Sequence, residues 1–238
     1  MFMDFNRKPI LGMIHMYGQE QAADYADKEI EIFEQEGVDG FILENYHGGL
    51  KEIRQVLGWI DEIPGNMLKG INILPNDIVT AYELAASYKL DFIQFDYVAG
   101  NYERTSPFDY QTFIRFRNRF PEIKILGGVW PKYYQPVSGS DLSEDIIVAK
   151  NNCDAIVVTG AGTGKETPLD KIKEFKRVSQ NFPLIIGAGL TPENVGEQLI
   201  HADGAIVGST FKKLGKTTNP VDRILVREFM AEVNKVRK

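Results

Sequence analysis

Polar side chains recur where short apolar runs end, and their types suit acid–base chemistry on a small molecule. The first run closes with Gly12-Met-Ile-His15, and an imidazole that titrates near neutrality could act as general acid or base, or as a neutral donor to a substrate oxygen. A histidine hydrogen-bonded within the scaffold is the plainer alternative. The second run ends Leu43-Glu44-Asn45, where a carboxylate is costly to bury unless it is paired or works as a base. Its structural alternative is an ion pair with Lys69 or Lys132. Asn72, between Ile71 and Ile73, alternates toward the same interior, whereas Asn76 and Asp77 read better as the cap of a helix starting at Ile78. Gln94 and Asp96 share one face of the next run. Asp96 near Glu44 would form a carboxylate pair able to divide acid and base roles, or, with the asparagines, to hold a divalent cation. No spacing is diagnostic of a metal site, and no cofactor is expected. Lys132, in Trp130-Pro-Lys-Tyr-Tyr134, could neutralise a substrate anion or form a Schiff base if desolvated; a solvated loop lysine is the alternative.

Glycine marks the other half of the chemistry. Thr159-Gly-Ala-Gly-Thr-Gly-Lys165 has the look of a nucleotide-binding loop, but Glu166 breaks the Gly-x-x-x-x-Gly-Lys-[Ser/Thr] pattern. It reads instead as a flexible loop that closes over a ligand, with Thr159 and Thr163 supplying hydroxyls. Two later runs, Pro183-Leu-Ile-Ile-Gly-Ala-Gly189 and Ala202-Asp-Gly-Ala-Ile-Val-Gly-Ser-Thr210, end without side-chain bulk. Backbone amides around Gly187, Gly189, Gly208, Ser209 and Thr210 could therefore approach a phosphate closely, with Lys212 and Lys213 in the segment behind.

The elements that must position these residues follow from periodicity. Eight short β-rich runs, at 10–16, 40–45, 70–74, 92–97, 123–129, 155–159, 184–188 and 205–208, alternate with stretches whose apolar residues fall at helical spacing, such as Ala22, Ala26, Ile30 and Phe33. Eight βα units without a linker or low-complexity tract point to one α/β domain over 1–238, a closed (β/α)8 TIM barrel. An open doubly wound sheet is the weaker choice, since the first βα turn lacks Gly-x-Gly-x-x-Gly. In such a barrel the C-terminal strand ends form the active-site mouth, and the loops after strands 7 and 8 commonly hold phosphate.

Composition narrows the partners. With 238 residues, 43% hydrophobic and a net charge of −6, the chain carries enough material for one large core and no concentrated basic face for nucleic acid. Lys and Arg at 115–119 and 171–177 fall at helical spacing, as on a solvated helix face. Cys153 cannot form an intrachain disulfide and reads as a small buried residue entering a strand. No stretch approaches ~18 uninterrupted apolar residues, so a cytoplasmic, non-spanning protein is expected. Peripheral attachment to a membrane stays compatible with this, and so does a homo-oligomer.

Taken together, Lys8-Pro-Ile-Leu-Gly-Met-Ile-His15, Gly37-Val-Asp-Gly-Phe-Ile-Leu-Glu-Asn45, Gly70-Ile-Asn-Ile-Leu-Pro-Asn-Asp77, Val158-Thr-Gly-Ala-Gly-Thr-Gly164 and the stretch from Ala202 to Asp222 resemble the BtpA/SgcQ family. That family is a branch of the ribulose-phosphate-binding type of barrel. The resemblance spans nearly the whole chain, with departures at Met16-Tyr-Gly18, Tyr46-His-Gly-Gly49, Asp96-Tyr-Val98 and Tyr133, all expected at the mouth. The resemblance implies, for some members, sugar-metabolism enzymes of unsettled reaction, and the polar strand ends opposite a candidate anion site point to an enzyme of small phosphorylated metabolites, sugar- or nucleoside-phosphate-like, working as an isomerase, lyase or glycosyl transferase. In that reading Glu44, Asp96, His15 and Lys132 are catalytic, and Asn45, Asn72, Thr159 and Thr163 bind substrate. The alternative, also implied by the family's name, is a non-catalytic peripheral factor for a membrane protein complex of the photosystem I type.

Overall fold

In the computed structural model, which describes residues 3–17, 22–60 and 66–237, eight parallel strands close on themselves in chain order. They are β1 (Ile10–Tyr17), β2 (Gly40–His47), β3 (Leu68–Asn72), β4 (Phe92–Phe95), β5 (Lys124–Gly128), β6 (Ala155–Val158), β7 (Leu184–Ile186) and β8 (Gly204–Val207). Pairing of Ile10 with Ala205 and of Leu11 with Ile206 seals the ring. Helices α1 (Ala22–Gln35), α2 (Leu50–Leu57), α3 (Ile78–Ser87), α4 (Tyr110–Arg119), α5 (Leu142–Asn152), α6 (Leu169–Ser179), α7 (Val195–Gln198) and α8 (Arg223–Val236) follow the strands one by one. This is the (β/α)8 barrel that the eight runs predict. Strand β4 stops at Phe95, short of the expected Tyr97, because the amide of Asp96 leaves the ladder and donates to the Asn76 side chain at 2.7 Å. Gly18, one of the departures from the family pattern, lies outside the described residues.

Strand alternation sorts the core into two parts. Ile30 and Phe33 of α1, with Ile53 and Val56 of α2 and Phe229 and Val233 of α8, are buried between barrel and helices, each such side chain contributing about 1.5–3 kcal/mol. The barrel interior is filled by Leu11 and Met13 from β1, Ile42, Phe92, Leu126, Val157, Ile185 and Ile206 from the others, with Met3 in the same cluster. Following the inward column of each strand to its C-terminal end reaches His15, Glu44, Asn72, Gln94 and then Asp96, Gly128, Thr159, Gly187 and Gly208. The upper layer of the barrel is thus polar and bulky over β1–β4 and nearly bare over β5–β8.

The opposite end carries a repeated device. Asp39, Asp91, Asp154 and Asp203 immediately precede or open onto β2, β4, β6 and β8, and each accepts from a backbone amide on the strand before: Ile10, Lys69, Ile125 and Leu184, at 2.7, 2.7, 2.8 and 2.8 Å. Four strand pairs are closed by the same bond. Removing one acceptor leaves a partly buried amide unpaired, which costs about 1–3 kcal/mol. Asp91→Ala is accordingly expected to lower the unfolding free energy by about that amount in urea titrations, with Asp91→Asn recovering most of it because an amide oxygen can still accept.

Candidate active site

Register brings the first three polar residues to one height. His15 pairs with Glu44 across β1 and β2, and Glu44 pairs with Asn72 across β2 and β3. Asn72 Nδ2 donates to Glu44 Oε1 at 3.0 Å, and His15 Nε2 stands 3.6 Å from Glu44 Oε2. The Tyr134 hydroxyl donates to Asp96 Oδ2 at 3.0 Å. A row of polar side chains therefore runs His15, Glu44 and Asn72, with Asp96 and Tyr134 paired beyond it.

Burial sets the protonation of this row. Glu44 is pushed up to about 7, mainly by desolvation, with Asp96 adding to the shift and Lys132 and the Asn72 bond opposing it. His15 is held well below its ordinary value by burial, reinforced by the charges of Lys212 and Lys132, so its imidazole is neutral. Asp96 is raised by burial against the bonds from Tyr134 and Asn72. Two carboxyls near a neutral imidazole, one poised near neutrality, form a set that can give and take protons at pH 7. Three buried polar atoms in this region, His15 Nδ1, Asn72 Oδ1 and Gln94 Oε1, have no partner among the described residues. Buried polar atoms are seldom left so.

Above this row lies a cavity of about 260 Å³. It touches His15, Glu44, Asp96, Lys132, Thr159, Thr163, Gly187, Gly189, Gly208, Ser209 and Thr210, which are drawn from seven of the eight strand ends. Asn45 does not line it. Its side chain points outward from β2, accepts from the Leu74 amide at 2.8 Å and donates back to the Leu74 carbonyl, so it holds the loop after β3. Asn72 reaches the site through Glu44. Asp77 caps α3, while Asn76 instead ties β4 down by accepting from Asp96 and donating to the Tyr97 carbonyl. Lys69 cannot pair with Glu44, since its ammonium donates to the Ile60 carbonyl. Lys132 is half-buried on the cavity wall, and its amide donates to Thr159 Oγ1 at 2.7 Å. Among the described residues no group of three or more His, Cys, Asp or Glu is placed to hold a metal ion.

The bare side of the mouth is built from close backbone approach. A β-carbon on Gly208 would lie 3.0 Å from His15 Cε1, so the imidazole packs directly on the end of β8. Beyond it a single 3-10 turn (Ser209–Phe211) makes its first bond from the Phe211 amide to the Gly208 carbonyl, which leaves the Ser209 and Thr210 amides outside the turn's own bonding. Lys212 is not available to an anion here: its side chain, 0% exposed, turns away and pairs with Glu29 at 3.1 Å. The glycine-rich loop after β6 lies over the β7 and β8 ends. Gly189 has φ +75°, and a β-carbon on it would stand 2.2 Å from the Lys165 carbonyl; Gly164 approaches the Ser209 hydroxyl. The loop is fastened at Thr163, whose amide donates to the Tyr133 hydroxyl at 2.9 Å and whose Oγ1 is 3.4 Å from the Tyr46 hydroxyl.

Tyr46 and Tyr134 have no part in the expectations drawn from strand ends. Tyr46 lies at the end of β2, which runs two residues past the expected Asn45, and Tyr134 in the loop after β5; the available signal is aromatic residues following an expected strand end.

Comparison with known proteins agrees with this architecture. A sequence model of the BtpA family matches residues 60–235. An uncharacterized protein of Pyrococcus abyssi is 31% identical over 92% of this chain and 93% of its own length. The photosystem I biogenesis protein BtpA of Synechocystis is 24% identical over 93% of this chain and 86% of its own. Among solved structures, N-(5'-phosphoribosyl)anthranilate isomerase from Pyrococcus furiosus superposes with a TM-score of 0.63 at 15% identity, covering 96% of this chain and 100% of that one. At that identity the likeness concerns the barrel.

Proposed function

The chain belongs to the BtpA family, and we propose that it is an enzyme that transfers protons on a small phosphorylated metabolite, a sugar phosphate or nucleoside phosphate. The carrying observation is the pairing of a buried carboxyl titrating near 7 and a neutral imidazole, Glu44 and His15, with a rim of glycine and backbone amides directly beside them. In this reading the amides of Gly189, Ser209 and Thr210 hold the phosphate, and the loop through Thr163 and Gly164 closes over it. Glu44 takes a proton from substrate carbon or oxygen and returns it, Asp96 serves as the second carboxyl, and His15 donates as a neutral imidazole. Lys132 stabilises negative charge developing on a substrate oxygen. Isomerisation, aldol-type cleavage and glycosyl transfer all need such steps.

The test is thermal shift against inorganic phosphate and ribose 5-phosphate, followed by a crystal soaked in the better ligand. At 100 times its dissociation constant a ligand stabilises by about 2.7 kcal/mol. The phosphate should lie within hydrogen-bond reach of the Gly189 and Ser209 amides. Gly189→Ala forces a side chain into a φ of +75° and against the Lys165 carbonyl, so it is expected to lose this ligand-dependent stabilisation. Absence of any shift with phosphorylated sugars, in both the parent and the variant, would sink the reading.

The name of the Synechocystis relative favours a second reading, a non-catalytic peripheral factor for a membrane protein complex. Among the described residues no helix is long and apolar enough to cross a membrane, so any attachment through them would be peripheral. Recovery in the membrane fraction at low salt and release at high salt would favour this reading, and recovery in the supernatant at both would count against it.

A further inference from the structure

One wall of the cavity is unlike the rest. Tyr46, Tyr133 and Tyr134 stand there with Leu74 and Pro75, and Tyr46 and Tyr133 meet the glycine-rich loop at Thr163. Each tyrosine hydroxyl already bonds to protein: Tyr134 to Asp96, Tyr133 to the Thr163 amide, Tyr46 to the Thr163 hydroxyl. What remains for a ligand is ring surface. Tyr133 is 67% exposed at the rim although its hydroxyl is tied down, so its ring is aromatic surface that a ligand in the cavity would cover. Among the described residues Lys132 is the one cation lining the cavity, and its charge acts on Glu44 and Asp96, so the carboxyls rather than a second phosphate already engage it.

We propose that the ligand is a phosphorylated sugar carrying a planar, apolar aglycone that packs against the rings of Tyr46, Tyr133 and Tyr134. The inference rests on the enzyme reading above and narrows it. The phosphate lies at the amides of β7 and β8, the sugar hydroxyls reach Glu44, His15 and Asp96, and the aglycone fills the tyrosine wall. A sugar phosphate without an aglycone would leave this wall in water. A bisphosphate would put its second anion against rings.

Calorimetric titration of the full chain with ribose 5-phosphate, adenosine 5'-monophosphate and phenyl ribofuranoside 5-phosphate tests this. At least one of the two aglycone-bearing probes should bind roughly tenfold more tightly than ribose 5-phosphate, the scale of stacking one ring on an aromatic side chain. Tyr133→Ala should bring that ratio toward one, while Tyr133→Phe, which keeps the ring and loses the Thr163 bond, should preserve it. Equal affinity for all three probes would overturn the aglycone and leave the phosphorylated-substrate reading intact. No binding by any of them would overturn both. A ratio that survives Tyr133→Ala and also Tyr46→Ala would place the aglycone elsewhere and equally refute the proposal.

Discussion

Replacing Glu44 with glutamine is expected to make the protein more stable and less active at once. Glutamine keeps the shape and can still accept from Asn72, but it cannot carry a proton to or from substrate, and loss of a positioned general acid or base lowers turnover by about 10²–10⁴-fold. The stability gain comes from titration. Glu44 holds its proton up to about 7 when folded, against an ordinary value of 4.5, so the native state binds more protons than the unfolded chain between these pH values. Its contribution is therefore favourable at low pH and is lost as pH rises through 7. Above that the buried carboxylate costs the fold roughly 3 kcal/mol, which Glu44→Gln removes. Urea titrations should show the variant more stable by about that much at pH 8, with the gap closing toward pH 4.5. A gap independent of pH would mean that Glu44 does not change its proton affinity on folding.

The second large effect is expected at Lys212→Met. Lys212 and Glu29 are both almost fully buried, the ammonium 3.1 Å from one carboxylate oxygen, and that same oxygen accepts from the Val221 amide. Burial pulls the Lys212 ammonium down while the Glu29 charge pulls it back up. Removing one partner of such a pair strands the other charge and typically costs 3–5 kcal/mol. Denaturation of Lys212→Met should show a loss of about this size, and adding Glu29→Gln should restore a large part of it, because the glutamine oxygen can still serve the Val221 amide without a charge. Lys212 also closes the turn that presents Ser209, through its amide bond to the Ser209 carbonyl at 3.0 Å. Weaker phosphate binding in the single variant, measured where it is still folded, is the accompanying expectation. A double variant no better than the single one would show that Lys212 acts by packing, not by charge.

The barrel could be read from the chain because each strand is a short apolar run and each helix an apolar stripe, and these are local patterns. The interior row of His15, Glu44, Asn72 and Asp96 follows from the same alternation, and that alternation also points Asn45 the other way, toward the Leu74 backbone. Grouping Asn45 with Glu44 by adjacency overlooked it. Lys212 illustrates a different limit. Its partner lies 183 residues earlier, on α1, and nothing local distinguishes a buried paired lysine from one facing an anion. The tyrosines come from the end of β2 and the loop after β5, whose placement depends on a third segment, since Tyr133 and Tyr46 both meet Thr163, 30 and 117 residues away. Their neighbourhood is a product of closure, not of sequence spacing.

The unequal dressing of the upper layer has one more consequence. The carboxyls and the imidazole proposed to move protons come from β1 to β4, with Lys132 in the loop after β5, whereas the bare backbone proposed as the phosphate anchor comes from the strand ends of β7 and β8. Holding and reacting are thus written in separate stretches of the gene product. Most of the departures expected from the family resemblance, at 16–18, 46–49 and 96–98, fall in the early stretch, and the glycine-ended strands fall in the late one. In the proposed reading, substitutions ahead of residue 135 would trade one reaction for another while the handle is inherited unchanged, and swapping the first five βα units between relatives is expected to carry the chemistry across with them.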